Sequence, residues 1–570
     1  MVGCCLLLWS FSLLFFGPRL WRIIITSRNA LEFLILFVFC VMLILFWLLT
    51  AYYISVVLFS FLSKPLPLPN YANKASWPEV AILYPTCNDF QPEAADSCLN
   101  QDYSAFHIFL LDDSTQNKYC SAVDAFHAAH PESTTVVRRS TRLGFKAGNL
   151  NHALRGAAAN YPFFAVVDAD ERLPADFLRR IVPYLCNSNL AFVQANHAPN
   201  PSQDSAFARD IAPTLLPFWS VHCRPRNHFG YVLYLGHGAI VRRSAWEVVG
   251  GFPEVVLEDL AFSALVGVQG LRGAFFEDLV CYEDFPGSYL AFKRQQERYV
   301  IGTTQVMRKY LGALLKTKKI SLIEKIDFIL WCSPLYVPAL CLVFIALSSL
   351  GLAGILGRWS PLTFSILGHH FVLPEVRTLD QRFAPIWSWD FQIFSVIGAL
   401  SPAFACLALG VKGKLRAIKL LFLTTVPYLS LMIVAWRGIL SYLLLGKTFS
   451  PPTGESVIYV SVEPPSVLTV MPSSVRSRGR AYAWRSPRIW EISLGGLFAV
   501  TSLVSFNLAH FAISCCLLIG SWIEVSGWEA KFVRTACVSC FAIILIQMII
   551  NITLLVQPSG LVPLVFSIHF

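Results

Sequence analysis

Six stretches of this chain carry no charged side chain and are each long enough to cross most or all of a lipid bilayer: Phe33–Leu62, Phe328–Gly357, Phe391–Val411, Leu420–Trp436, Ile492–Ile523 and Thr535–Phe570. A bilayer core takes ~20 apolar residues of helix. Within it only helices and closed barrels satisfy their own backbone. Residues 4–17 form a shorter apolar run before Gly17-Pro18, read as a signal-anchor or an interfacial helix, with no small-residue cleavage site. Hydrophobic residues make up 55% and charged residues 14% of the 570 positions, against ~25% charged in an ordinary globular protein. Whole-chain disorder, a nucleic-acid scaffold and a secreted disulfide framework are thereby excluded. The net charge of +10 reads as basic cytoplasmic loops, with no nucleic-acid partner expected. The cysteines are scattered, and Cys537-x-x-Cys540 lies in an apolar run without partners for zinc, so free thiols are expected.

Between Lys64 and Asp327 charges return and apolar runs shorten. Val80–Tyr84, Phe106–Leu111, Thr135–Arg138 and Phe163–Val167 read as strands; Ser121–His130, Ala147–Ala159 and Asp176–Leu185 read as helices. This alternation predicts a parallel sheet covered by helices on both faces. Such sheets bind ligands at the carboxyl ends of their strands. Those ends are polar here: Pro85-Thr86-Cys87-Asn88-Asp89, Asp112-Asp113-Ser114 and Asp168-Ala169-Asp170.

Positive-inside counting orders the later runs. With the α/β domain cytoplasmic, Phe328–Gly357 exits, 358–390 is an outer loop and Phe391–Val411 returns, leaving Lys412, Lys414, Arg416 and Lys419 inside. A further crossing would put Arg476, Arg478, Arg480, Arg485 and Arg488 outside, so 420–446 is expected to be interfacial or re-entrant. Spans at 492–523 and 535–556 follow, while Arg19, Arg22 and Arg28 leave the N-terminal count open. The expected divisions are membrane segments at 1–64, the α/β domain at 65–290, interfacial helices at 291–327, membrane and interfacial helices at 328–447, a cytoplasmic linker at 448–490 and membrane helices at 491–570.

Several short patterns carry chemistry. Asp168 and Asp170, two apart at a strand end, can offer hard oxygen ligands to Mg²⁺ or Mn²⁺; a solvated acidic loop is the alternative. Lys146, opening a helix with Gly148 behind it, suits an anion, or is a surface lysine beside an ordinary cap. Glu258 and Asp259 begin a helical run, where carboxylates either cap the helix or take a proton from a hydroxyl. Gln295, Arg298 and Tyr299 share a helical face at i, i+3 and i+4, suited to phosphate and sugar. The same segment, KRQQER, also reads as an amphipathic interfacial helix with snorkelling basics.

Together, Asp112-Asp113-Ser114, KAGNLN at 146–151, Asp168-Ala169-Asp170, Gln194, Glu258-Asp259 and Gln295-x-x-Arg298-Tyr299 resemble the ordered signature of processive, membrane-integrated family 2 glycosyltransferases. Bacterial cellulose synthase catalytic subunits carry such a signature, as do hyaluronan and chitin synthases with less likeness. The resemblance covers about residues 78–345. It implies an α/β GT-A (Rossmann-like) cytoplasmic domain inserted between transmembrane helices. It implies inverting polymerisation of a UDP-sugar, UDP-glucose giving a β-glucan in the first place, and translocation of the polysaccharide across the plasma or inner membrane. The implied partners are the UDP-sugar, the nascent polysaccharide, the bilayer and an accessory export subunit. A single-transfer enzyme acting on a lipid-linked acceptor, or a synthase using UDP-GlcNAc or another nucleotide sugar, is the alternative. Residue by residue, Thr86, Asn88, Asp113, Lys146, Gln295 and Arg298 fall to the donor, Asp168 and Asp170 to the metal, and Asp259 to the catalytic base. Glu258, His237 and Tyr299 fall to the acceptor. Three positions depart from the family pattern, all on the acceptor side: Leu257 for threonine in TED, Tyr299 for tryptophan in QxxRW, and Leu233-Tyr234-Leu235-Gly236-His237 for FFCGS.

Overall fold

The computed structural model describes residues 1–67, 77–356, 358–366, 369–378, 388, 390–391, 393–395, 405, 409–411, 413–446, 487–505 and 507–555. Its centre is a seven-stranded sheet ordered β3-β2-β1-β4-β6-β5-β7. The strands are β1 (Val80–Thr86), β2 (Phe106–Asp112), β3 (Thr134–Val137), β4 (Phe163–Val166), β5 (Phe192–Pro199), β6 (Ala239–Arg242) and β7 (Gly273–Glu283). Val80, Ala81, Ile82 and Leu83 are all fully buried, because helices cover both faces and neither set of alternate side chains meets water. Val80, Ile82, Ile108 and Leu110 pack with α3 (Pro92–Leu99) and α6 (Phe177–Cys186). Ala81, Leu83, Phe109 and Leu111 pack with α5 (Phe145–Arg155) and the helix Glu258–Val268.

The expected parallel sheet holds for β3-β2-β1-β4. Beyond it the sheet is mixed, since β6 runs antiparallel to both β4 and β5 while β5 and β7 are parallel. Alternation of β and α signals stops after α6, and β7 carries Glu277 and Asp278 at an irregularity in its pairing with β5. An apolar-run reading has no purchase there.

Among the described residues, four helical spans are long and apolar enough to cross a membrane: Val2–Ile25, Ala30–Leu62, Leu322–Leu352 and Leu508–Ser526. The first, α1, does not stop at Gly17-Pro18 but continues through Pro18, as membrane helices allow where neighbouring groups take up the freed carbonyl. Lys414–Leu429 and Met432–Leu445 meet at a bend of 42°, the shape of a broken span or a re-entrant loop. The run Ile492–Ile523, expected as one span, is two helices, Pro487–Val504 and Leu508–Ser526. Asn507 starts the second, its Oδ1 accepting from His510 N at 3.0 Å. A two-stranded antiparallel hairpin, Arg358–Ile366 with His369–Thr378, stands where an outer loop was expected. Most of the expected span Phe391–Val411, nearly all of the linker 448–490, and Arg476, Arg478, Arg480 and Arg485 lie outside the described residues.

Arg226 joins the α/β domain to the membrane helices. Its guanidinium donates to both oxygens of Asp327 at 3.0 and 2.7 Å and to Tyr52 Oη at 2.8 Å, and it lies 4.3 Å from the Trp331 ring centroid. Both charged side chains are 1% exposed. Arg226→Leu would strand a buried carboxylate, which typically costs about 3–5 kcal/mol. The expected result is a much lower melting temperature in detergent, largely restored by adding Asp327→Leu. A melt unchanged by the single variant would refute the anchor.

Candidate active site

The carboxyl ends of β1, β2 and β4 lie side by side in the sheet, and two helix starts meet at the end of β4. Just past β4 comes Asp168-Ala169-Asp170. Lys146 sits in the first turn of α5. Its Nζ donates to Asp168 Oδ1 at 2.5 Å and Gly236 O at 3.1 Å, and lies 3.7 Å from Glu258 Oε1. Glu258 and Asp259 open the helix Glu258–Val268 as one of its first turns. One Asp259 oxygen accepts from Leu260 N at 2.7 Å. The other lies against Gly236, where a Cβ would come within 3.2 Å of it. That glycine, at φ +91, is required on both counts.

The charges are unevenly compensated. Burial works against ionised Asp168, but Lys146 and His237 outweigh it and hold the carboxyl below its ordinary range. Burial, with Asp168 and Glu283 nearby, pushes Asp170 up to about 8. A half-buried carboxylate short of positive charge, beside a second carboxylate, fits a divalent cation by charge and by oxygen chemistry. Burial also raises Asp259, against the pull of Lys146, His237 and Arg298, and raises Glu258 beside it. His237 approaches Glu171 Oε1 at 3.4 Å and Glu283 Oε2 at 3.5 Å. Burial alone would lower its pKa, but Glu171, Asp168 and Glu283 together lift it to about 10. These carboxylates favour the charged form of His237 beside the Asp pair.

The long helix Tyr289–Lys316 brings Arg298 and Tyr299 to this group, with Gln295 one turn before Arg298 on the same helix. Arg298 acts electrostatically on Asp259 and lies 5.7 Å from the Tyr299 ring centroid. Burial pushes the Tyr299 hydroxyl up to about 12, with Glu283 and Asp259 among its neighbours. Lys146, Asp168, Asp170, His237, Glu258, Asp259, Arg298 and Tyr299 thus form one electrostatic cluster.

Thr86, Asn88 and Asp113 sit at the adjacent strand ends, Thr86 bonded within its own loop and Asn88 and Asp113 to the loops that follow the next strands. Thr86 Oγ1 donates to Asp89 at 2.9 Å. Asn88, at φ 62, accepts from Thr115 N at 2.9 Å and Gln116 N at 3.0 Å. Asp113 receives Arg139 on both oxygens, at 2.9 and 2.6 Å. Gln194 donates to His237 O at 2.8 Å and accepts from Leu235 N at 3.0 Å, fixing the segment before β6.

Arg139, Glu171, His197 and Glu283 are the participants that sequence reasoning missed. Glu171 accepts from His197 Nε2 at 2.7 Å, Gly238 N at 3.0 Å and Asp168 N at 3.2 Å, tying the ends of β4, β5 and β6 together. With Cys281 it forms a buried group of metal-ligand types within 4.8 Å, but these hydrogen bonds already occupy its carboxylate. Its position one residue after Asp168-Ala169-Asp170 was a signal. Nothing in sequence marked His197 as the partner of Glu171 or Arg139 as the partner of Asp113.

The mixed sheet with helices on both faces and an acidic strand end is GT-A-like. Residues 163–446 match the family model described as glycosyl transferase family group 2. Glucomannan 4-beta-mannosyltransferase 1 of Oryza sativa subsp. japonica is 26% identical over 266 residues, covering 45% of this chain and 51% of that one. Probable glucomannan 4-beta-mannosyltransferase 1 of Arabidopsis thaliana is 28% identical over 261 residues, covering 44% and 47%. A mannosyltransferase from Pyrobaculum calidifontis, solved with GDP-Man and Mn²⁺, aligns over 71% of this chain and 99% of its own at 18% identity, with a TM-score of 0.41. The chain spans about half the length of the curated relatives it matches. Residues 163–446, just under half of the chain, are thus similar to family 2 glycosyltransferases.

Proposed function

We propose that this protein is a processive, inverting polysaccharide synthase. It transfers hexosyl units from a nucleoside diphosphate sugar to a growing β-linked chain and passes that chain across the plasma or inner membrane, with the catalytic domain on the cytoplasmic side. The observation that carries this reading is the arrival of Arg298 and Tyr299, on a helix packed against membrane helices, beside the carboxylate of Asp259. Asp259 takes the proton from the acceptor hydroxyl. Lys146, Gln295 and Arg298 hold the negative charge of the leaving diphosphate. Tyr299 and His237 seat the acceptor sugar, with Glu258 beside them. A divalent cation, Mg²⁺ or Mn²⁺, would be held by Asp168 and Asp170 and supply further charge neutralisation at the diphosphate. The cytoplasmic assignment is supported by exposed Lys414 and Arg416 with Lys419 at the start of the helix Lys414–Leu429.

UDP-glucose is the donor the motif resemblance favours, and the names of the relatives add mannose as the second hexose to test. Purified protein should therefore be given radiolabelled UDP-glucose, GDP-mannose and UDP-GlcNAc separately, with Mn²⁺ or Mg²⁺. Label is expected in high-molecular-weight β-linked polymer from one of the hexose donors. Label confined to lipid extract would replace polymerisation by single transfer, and label nowhere would sink the reading.

Tyr299 tests the acceptor side. An aromatic face packs against the C–H face of a sugar, and the tyrosine hydroxyl adds a hydrogen-bonding group. Tyr299→Ala is expected to lower polymer yield by up to ~10²-fold, the effect of misplacing a reacting group by ~1 Å, while donor hydrolysis falls much less. Tyr299→Trp should retain part of the activity. Equal losses of hydrolysis and polymerisation would assign Tyr299 to the donor side.

A further inference from the structure

The helix Tyr289–Lys316 has two working faces. At ~100° per residue, Gln295, Arg298 and Tyr299 lie about 200°, 140° and 240° around the helix from Lys293, on the side opposite to it. Lys293 is nonetheless buried, its side chain 4% exposed. Its Nζ donates to Glu491 Oε1 at 2.6 Å and to Glu524 Oε2 at 2.9 Å. Glu491 belongs to the helix Pro487–Val504 and Glu524 to Leu508–Ser526. Ser521 Oγ donates to the second Glu491 oxygen at 2.8 Å. One turn along the same face, Glu297 takes Arg437 of the helix Met432–Leu445 on both oxygens, Nε at 2.6 Å from Oε1. One turn earlier, Tyr289 Oη meets Ser430 Oγ at 2.5 Å. Gly520 allows that contact, because a Cβ there would come within 2.6 Å of both side chains.

We propose that Lys293 is a positioning residue, and that the C-terminal helix pair Pro487–Val504 and Leu508–Ser526 is part of the catalytic unit through it. That pair lies beyond residues 163–446, the segment matching the family model. A single lysine between two carboxylates fixes the rotation and height of the helix more tightly than apolar packing does, because any slide uncovers a buried charge. Fixing this face fixes the other, so Gln295 and Arg298 are presented at a set height to the diphosphate and Tyr299 to the acceptor. The proposal rests on the transferase reading given above, and its test separates the two.

The test uses the full-length protein in detergent. Binding is measured calorimetrically for the nucleoside diphosphate of whichever donor is turned over and for the bare nucleoside, alongside polymerisation and thermal melting. In Lys293→Met the diphosphate is expected to bind ~10–100-fold more weakly, the loss of one or two charge-assisted hydrogen bonds, with polymerisation falling at least as far. The nucleoside should bind as in wild type, since Asp113 and Asn88 are held by Arg139 and Thr115 of neighbouring strand-end loops and not by the helix Tyr289–Lys316. Lys293→Arg should keep most of the diphosphate affinity. The exchange Lys293→Glu with Glu491→Lys should recover affinity lost in Lys293→Glu alone, and serves if Lys293→Met does not fold. Unchanged diphosphate binding in Lys293→Met, or equal loss of nucleoside and diphosphate binding together with the melt, overturns the positioning role while wild-type activity leaves the transferase reading standing. A wild-type protein that binds no nucleoside diphosphate overturns both.

Discussion

Asp259→Asn is expected to lower kcat by ~10²–10⁴-fold, the usual contribution of a positioned general base, with donor binding nearly unchanged. The carboxylate stands at a helix start, one oxygen held by Leu260 N and the other beside Gly236. Asparagine keeps the shape and removes the proton acceptor. The pH profile gives an independent check. Burial raises the pKa of Asp259, and the base works only when deprotonated. Rate should therefore rise with pH through that value, placing the acid limb above the ~3.9 of an ordinary aspartate. The limb should disappear in Asp259→Asn. Wild-type turnover in this variant, or a loss confined to donor affinity, would assign the base elsewhere.

The second large effect is expected at the Asp pair. Asp168→Asn or Asp170→Asn should abolish Mn²⁺- or Mg²⁺-dependent turnover. Charge stabilisation by such an ion is worth several kcal/mol, which at ~1.4 kcal/mol per tenfold is on the order of 10³-fold. Asp170 also gives a readout independent of turnover. Its folded pKa of about 8 lies above that of an unfolded aspartate. The unfolded chain therefore loses this proton first, and the group makes the fold less stable as pH rises from ~4 towards 8. A cation that occupies the site relieves this. Mn²⁺ at a hundredfold excess over Kd should stabilise the wild type by about 2.7 kcal/mol and raise its melt accordingly, and Asp170→Asn should lose most of that shift. Its melt without metal should depend less on pH. Full activity in EDTA, or the same Mn²⁺ shift in the variant, would refute the assignment.

The order of the motifs was legible because each sits at a boundary that local patterns mark. Asp168-Ala169-Asp170 follows an uninterrupted apolar strand, Lys146 begins a helix, and Glu258-Asp259 precedes an apolar helical run. A strand buried on both faces must be apolar throughout and must end where the backbone meets polar surroundings, so residue type alone locates the end. The half of the sheet beyond α6 was not legible. β6 runs antiparallel between two strands, and its place is set by what it hydrogen-bonds to, not by its four residues Ala239–Arg242.

The same division runs through the membrane part and the site. Apolar length by itself settles which helices can enter a bilayer, because burying a helix in lipid depends on its composition. It does not settle where a run folds back, and the break at Asn507 turned one expected span into a helix pair. Which charges compensate which was left entirely to the tertiary structure. Glu171 meets His197 26 positions away, and Lys293 meets Glu491 and Glu524 at separations of 198 and 231. Sequence supplies the ionisable groups. Their pairing, and with it which carboxylate stays short of positive charge, depends on distances of a few ångströms that only the packed chain creates, because Coulomb energy and desolvation act through space and not along the chain.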